Sequence, residues 1–183
     1  MKKVSVLLAD GFEEIEALTV VDLLRRAKVY VDTVSITDEY TVRGSHGIPV
    51  LTEDLFDEVD FSESDMIVLP GGLPGTTNLK EHAGVRKVVK GFYDEGKYVA
   101  AICAAPTILA RLHITDGRKA TCYPGMEDQM GTAQMIPCGA VQDGSVITGR
   151  AAGSADEFGL ACLRALKGEE TARQVASGIV YRA

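Results

Sequence analysis

Residues 97–110 read KYVAAICAAPTILA and decide how the centre of this chain folds. The stretch begins with a short, largely apolar run that contains no turn-forming residue, which predicts a buried strand ending at Ile102. A helix with Pro106 in its first turn is predicted to follow over residues 104–110. Cys103 therefore lies at a sharp turn from strand to helix.

Cys103 is the candidate nucleophile because of this position. The positive end of the helix dipole favours a thiolate, and the small residues on both sides allow the close backbone approach of a nucleophile elbow. The alternative is an inert structural thiol, since free cysteine is among the most buried residue types. The local sequence leaves both interpretations open.

Strand and helix patterns alternate along almost the whole chain. We predict strands at 3–9, 29–36, 66–69, 97–102, 120–123 and 146–148, helices at 13–27, 85–95, 154–166 and 169–179, and a short hairpin within 38–51. Such alternation predicts an α/β fold with a mostly parallel sheet and helices on both faces. No linker or repeat interrupts the 183 residues, so we expect a single domain over 1–183.

Composition limits the classes of function. A net charge of −7 argues against a nucleic-acid groove, which needs clustered lysine and arginine. No apolar run approaches the length of a membrane span, and no secretory signal precedes the first strand, so we expect a cytoplasmic protein. The four cysteines form no CxxC pair, which argues against a zinc site, and Cys162 is most simply a core residue.

Three segments with candidate chemistry lie at predicted strand ends. They are residues 10–16, residues 70–75 and the elbow at Cys103. In an open α/β sheet, ligands bind beyond the carboxyl ends of the strands. We therefore expect these segments to converge on one site.

Glu16 is the candidate acid–base residue in the first of these segments. Its apolar neighbours predict a partly buried carboxyl with a raised pKa, able to donate a hydrogen bond to a thiolate or to carry a proton. The plainer alternative, favoured by spacing alone, is one more acidic residue complementing the start of a helix, as Glu13 and Glu14 do.

Gly71 and Gly72 follow the strand at 66–69 and offer unobstructed backbone N–H groups. Together with the amide of Ala104, they are candidates for an oxyanion hole. The alternative is an ordinary turn. The spacings of a phosphate loop and of a dinucleotide fingerprint are absent.

The histidines offer no evident base for Cys103. His82 and His113 are expected at the surface or at helix ends. His46 lies in a glycine-flanked loop and is either a pocket residue or, more simply, a solvated side chain. The histidines and cysteines also lack metal-ligand spacing, so we predict no metal.

Residues 8–16, 68–72, 100–106 and 148–154 together resemble the ThiJ/PfpI superfamily and its DJ-type (Parkinson-disease-protein deglycase-like) branch. The resemblance implies a flavodoxin-like sandwich, similar to class I glutamine amidotransferases, and a homodimer. It also implies that Cys103 is the reactive cysteine, that Glu16 is the carboxyl hydrogen-bonded to it, and that Gly72 and Ala104 supply the oxyanion-hole amides.

The sequence departs from the family pattern at three positions. Ala104 stands where protease-like relatives carry histidine, which disfavours peptidase activity. Tyr123 occupies the position of a pocket histidine found in many DJ-type members, although tyrosine can also donate a proton. His46 corresponds to a pocket position that is often arginine.

The resemblance implies glyoxalase or deglycase chemistry on small dicarbonyls such as methylglyoxal, without a cofactor. The charge and the apolar runs predict neither a nucleic-acid nor a membrane partner. The alternative is an oxidative-stress sensor or chaperone in which Cys103 is oxidised to a sulfinate beside protonated Glu16. Biosynthesis of a thiamine precursor, thiazole monophosphate, is a weaker alternative because no basic cluster is present to bind a phosphate. The plainest alternative is a small-ligand-binding domain with an inert cysteine.

Overall fold

A seven-stranded sheet forms the centre of the computed structural model, which describes residues 1–182. The strand order is β10-β11-β7-β6-β1-β2-β5, and every neighbouring pair is parallel except β10 with β11. The strands are β1 (Lys3–Leu8), β2 (Tyr30–Ser35), β5 (Asp54–Leu55), β6 (Met66–Leu69), β7 (Tyr98–Ile102), β10 (Ala140–Asp143) and β11 (Val146–Gly149). The predicted α/β fold with a mostly parallel sheet is confirmed.

Two small sheets and six helices complete the fold. One small sheet is the antiparallel hairpin of β3 (Thr41–Arg43) and β4 (Pro49–Leu51), and the other is the parallel pair of β8 (Lys119–Ala120) and β9 (Gln134–Met135). The helices are α1 (Glu14–Arg26), α2 (Gly75–Glu81), α3 (Ala83–Asp94), α4 (Pro106–Arg111), α5 (Ala155–Lys167) and α6 (Glu169–Gly178).

Helices cover both faces of the sheet because the central strands are apolar on both sides. In β7, Ala100 and Ile102 join a core beneath α1 and α5, whereas Val99 and Ala101 join a second core beneath α3 and α4. This alternation follows from the two-residue period of a strand. Cys162 is fully buried in the first core, as predicted.

Some predicted elements differ from the structure. The strand expected at 120–123 is only β8, outside the main sheet. The strands β5 and β10 and the helix α2 were not predicted, because β5 has two residues and α2 consists mainly of glycine, threonine and asparagine, which are poor helix formers. The elbow helix begins at Pro106 rather than at residue 104 and has only six residues.

Within residues 1–182, no helix is long and apolar enough to cross a membrane. Even α1 and α5 have only 13 residues each, whereas a span needs roughly 20.

Candidate active site

Cys103 adopts a left-handed backbone conformation with φ of +66°. Such a value is uncommon for a residue with a side chain and persists only where neighbouring structure imposes it. Here the Cys103 amide donates to Gly149 O at 3.0 Å, and the Cys103 carbonyl accepts from the Tyr123 amide at 2.8 Å. The predicted sharp turn is therefore present, and it holds a half-buried thiol at the carboxyl end of β7.

Glu16 reaches the same place from the first turn of α1. That helix begins beside the sheet because Glu13 caps it, with the Glu13 amide bonded to Gly71 O at 2.9 Å. The side chain of Glu16 is buried, and its Oε2 accepts from the Gly71 amide at 2.8 Å. Its Oε1 has no hydrogen-bond partner within the described chain.

Gly71 packs directly between these two groups. A Cβ atom on Gly71 would lie 2.6 Å from the Cβ of Cys103 and 2.6 Å from Oε2 of Glu16. The glycine is therefore needed so that β6, β7 and α1 can approach one another at this point.

The backbone amides of Gly72 and Ala104 lie close enough to the Cys103 sulfur to lower the pKa of its thiol. Gly72 has a φ of +89°, and a Cβ there would lie 2.4 Å from the Glu13 amide nitrogen. The Gly71 amide, by contrast, already serves Glu16. The structure thus brings Cys103, Glu16, Gly71, Gly72 and Ala104 together, with two amides at the place where an oxyanion would form.

The pKa values of Cys103 and Glu16 depend on each other. Burial raises the pKa of Glu16 to about 7, although the Cys103 side chain and the Gly71 amide lower it. Burial and the negative charge of Glu16 raise the pKa of the Cys103 thiol to about 12, against a smaller lowering by the Ala104 and Gly72 amides. Because each group affects the pKa of the other, the two groups titrate as a pair.

The expectation that the start of the following helix gives Cys103 a lowered pKa is wrong, because the pKa is raised overall. The helix α4 starts three positions after the cysteine and spans six residues, and the dipole effect falls off within about one turn. Burial and Glu16 outweigh it.

Tyr123 flanks the site through its backbone. Its amide binds the Cys103 carbonyl at 2.8 Å, and its side chain is about half exposed, at 48%. It occupies the rim of the site.

His46 contacts two carboxylates at the start of α1. Its Nδ1 lies 2.8 Å from Glu14 Oε2 and 3.6 Å from Glu13 Oε2, and the Ser45 hydroxyl donates to both carboxylates at 3.3 Å. The interaction with Glu14 raises the pKa of His46. Donor atoms of Glu13, Glu14 and His46 lie within 4.8 Å of one another, but this ion pair accounts for the cluster and we assign no metal to it.

Glu14 is the residue whose role the sequence did not reveal. Burial alone would raise the pKa of its carboxyl, but hydrogen bonds from the His46 side chain and from the amides of Glu14, His46 and Ile48 lower it to about 2. Glu14 thereby holds the loop between β3 and β4 against α1. Nothing in the local sequence distinguishes it from an ordinary acidic residue at a helix start.

Comparison with known proteins identifies the family to which this chain belongs. The model of the DJ-1/PfpI family matches residues 2–165. The chain belongs to the DJ-1/PfpI family. Protein DJ-1 homolog B of Arabidopsis thaliana is 36% identical over 99% of the chain, which spans 42% of that protein's length. The deglycase PH1704 of Pyrococcus horikoshii is 35% identical over 81% of the chain and 89% of its own length.

Solved structures of DJ-1 proteins have the same fold as this chain. Oxidised DJ-1 of Toxoplasma gondii superimposes with a TM-score of 0.96 at 33% identity, covering 100% of both chains. The resemblance to this family and its flavodoxin-like sandwich is thus confirmed. The strained Cys103, the buried Glu16 and the two sulfur-facing amides lie in the DJ-1/PfpI segments identified from the sequence.

Proposed function

We propose that this protein is a cysteine-dependent glyoxalase or deglycase that acts on small dicarbonyls such as methylglyoxal and glyoxal, or on their early protein adducts. The observation that carries the proposal is the strained Cys103 facing both a protonatable Glu16 and the amides of Gly72 and Ala104. The similarity to a protein named a deglycase supports it.

The first step is addition of sulfur to the aldehyde. Ionised Glu16 takes the thiol proton, and the thiolate forms a bond to the aldehyde carbon as the carbonyl π-bond opens onto oxygen. The Gly72 and Ala104 amides bind the resulting oxyanion. Glu16 then returns the proton to that oxygen, which gives a hemithioacetal and a free Glu16 carboxylate.

The second stage moves hydrogen between carbons. Glu16 removes the proton from the former aldehyde carbon to give an enediol and delivers a proton to the neighbouring carbon, leaving a lactoyl thioester on Cys103. Water hydrolyses the thioester to lactate and regenerates the thiol. The overall change adds one water to methylglyoxal. All of these steps are assigned to Cys103, Glu16 and backbone amides.

The proposal is tested by assaying lactate from methylglyoxal without glutathione and with a chelator present. Wild type is expected to form lactate, and Cys103→Ala is expected to lose roughly a thousandfold or more of the rate because the nucleophile is absent. Cys138→Ala is the matched control, since Cys138 is also a half-buried free cysteine, but its thiol donates to the Ala140 carbonyl and has no carboxylate partner among the described residues. Its rate is expected to equal that of wild type.

Two outcomes of this assay contradict the proposal: wild type forms no lactate, or Cys103→Ala retains its rate. Oxidative sensing then becomes the better account, since the Cys103 sulfur lies beside a carboxyl able to stabilise a sulfinate. Intact mass after mild peroxide distinguishes it, because sensing requires a stable gain of two oxygens at Cys103 that Glu16→Ala prevents.

We also propose that the protein is a homodimer formed through α1 and the β3–β4 hairpin. Four apolar side chains are exposed there: Ile15, Leu18, Ile48 and Leu51. Exposed apolar side chains concentrated on two adjoining elements favour an interaction surface, and a two-fold axis would bury them against their own copies. Because Glu14 joins the hairpin to α1 beside the site, the partner would border the active-site mouth.

Sedimentation of Leu51→Glu tests the dimer. Wild type is expected at twice the chain mass and Leu51→Glu at the chain mass. Leu51 is 75% exposed in the single chain, and a glutamate at this position would be buried as an unpaired charge in the dimer. Val180→Glu is the control, because Val180 is equally exposed, at 74%, and lies outside the proposed interface. A monomeric wild type, or a dimeric Leu51→Glu, contradicts the proposal.

A further inference from the structure

A cavity of about 420 Å³ lies on the face of the sheet covered by α3. Three of its ten lining residues are phenylalanines: Phe56 and Phe61 pack with ring centroids 5.0 Å apart, and Phe92 lies beside them in the second core. Val88 of α3 completes the apolar wall. The volume falls within the range of roughly 300–1,000 Å³ typical of small-molecule sites.

This cavity is separate from the candidate active site. Lys97, which lines it, precedes the amino end of β7, whereas Cys103 follows the carboxyl end. At about 3.3 Å per residue, the strand separates the two places by roughly 17–20 Å. The proposed dimer surface on α1 lies on the opposite face of the sheet.

Gly91 of α3 lies in the wall of the cavity. A glycine in a helix interior destabilises the helix relative to alanine, and a steric need within the chain usually explains it. Gly84, about two turns earlier in α3, has such a steric need, because a Cβ there would lie 2.7 Å from the Phe56 ring. A Cβ on Gly91 would meet no described atom within 4 Å, so the space beside this glycine is open.

The charged residues that line the cavity are two lysines, Lys87 and Lys97, and one glutamate, Glu95. Lys97 Nζ lies 5.0 Å from the Phe92 ring centroid and 3.3 Å from the Glu95 carboxylate, and it donates to the Ser62 carbonyl at 2.8 Å. Lys87 is exposed and forms no ion pair with any residue of 1–182. An apolar pocket beside an unpaired ammonium group complements a ligand with an apolar body and one negative charge.

We propose that this cavity, which we call the α3 pocket (Phe56, Phe61, Lys87, Val88, Gly91 and Phe92), binds a small amphipathic carboxylate with a short alkyl or aromatic body. The carboxylate pairs with Lys87, and the body packs on the three phenylalanines. A second copy of the chain is a poorer occupant, because a two-fold axis through the pocket would bring Lys87 against its own copy.

Octanoate is the probe, with octan-1-ol as its uncharged counterpart. Titration of each into isotopically labelled protein is expected to shift the amide signals of Val88 and Gly91 saturably. Gly91→Leu is expected to weaken octanoate binding tenfold or more by covering the opening, while its melting temperature does not fall, since leucine is the better helix former. An unchanged melting temperature therefore shows that the weaker binding of this variant does not result from unfolding.

Charge recognition is tested by Lys87→Gln. This variant is expected to bind octanoate about five- to tenfold more weakly and octan-1-ol as well as wild type does. Lys90→Gln is the matched control, because Lys90 lies one turn further along α3, pairs with Asp94 and does not line the pocket. It is expected to bind both probes normally.

Four results would overturn the proposal. They are the absence of saturable shifts in wild type, undiminished binding by Gly91→Leu, equal weakening of acid and alcohol by Lys87→Gln, and self-association that Gly91→Leu abolishes. The last would make the α3 pocket an interface between copies of the chain.

Discussion

Glu16→Gln is expected to be more stable than wild type at pH 8, by about 3 kcal/mol, and to be about as stable as wild type at pH 4. Burial raises the pKa of Glu16 from 4.5 to about 7, and each pKa unit corresponds to about 1.4 kcal/mol. Between pH 4.5 and pH 7, Glu16 keeps its proton in the folded chain but has released it in the unfolded chain. Stability therefore falls as pH rises from about 4.5 to 7, and glutamine removes this loss.

Urea unfolding of both proteins across this pH range measures the difference. Glu39→Gln is the control, since Glu39 is exposed and its change is expected to leave the pH dependence as in wild type. A constant difference between Glu16→Gln and wild type at all pH values would show that Glu16 is not the titrating group. The same variant is expected to lose roughly a hundredfold or more of the lactate-forming rate, because an amide cannot accept the thiol proton.

Gly71→Ala is expected to lose at least about a hundredfold of the rate and to destabilise the fold by roughly 1–3 kcal/mol, as overpacking of a close contact does. The added methyl would lie 2.6 Å from both the Cys103 Cβ and Glu16 Oε2. Since Gly71 does not have a positive φ, alanine can adopt its backbone conformation, and the effect reports the contact alone. Lactate formation and urea unfolding measure the two losses.

Gly153→Ala is the control for that substitution. A Cβ on Gly153 would meet nothing within 4 Å, so its rate and stability are expected to match those of wild type. If Gly71→Ala also behaved like wild type, then the close approach of Cys103 and Glu16 across Gly71 would not be needed for the reaction. Gly72→Ala is less informative, because its φ of +89° adds backbone strain to a clash.

The sequence was most informative where local chemistry determines structure. The apolar run before Cys103 and the proline after it predicted the strand, the turn and the helix, and all three are present. The alternating pattern predicted the parallel sheet. The strand β5 could not be predicted, because two residues carry no periodicity and it exists only through pairing with β2.

The site was harder to predict because it depends on contacts between distant segments. Glu13, Glu14 and Glu16 look alike in sequence, yet only Glu16 faces Cys103, whereas Glu14 binds the loop at His46. Which acid is buried is decided by the way α1 packs on the sheet. The direction in which the pKa of Cys103 shifts was likewise not predicted, because the local sequence does not reveal how deeply the thiol is buried or that a carboxylate lies beside it.

The two hydrogen bonds that hold Cys103 in its left-handed conformation bear on the order in which a ribosome makes this chain. Both partners, Tyr123 and Gly149, are synthesised after Cys103 itself. A nascent chain that ends before residue 123 contains β1, β6, β7, Glu16 and Gly71 but lacks both restraints on the cysteine. The elbow is therefore completed only as β11 joins β7, so the reactive geometry arises late in synthesis, after the strands that carry its other parts are already available.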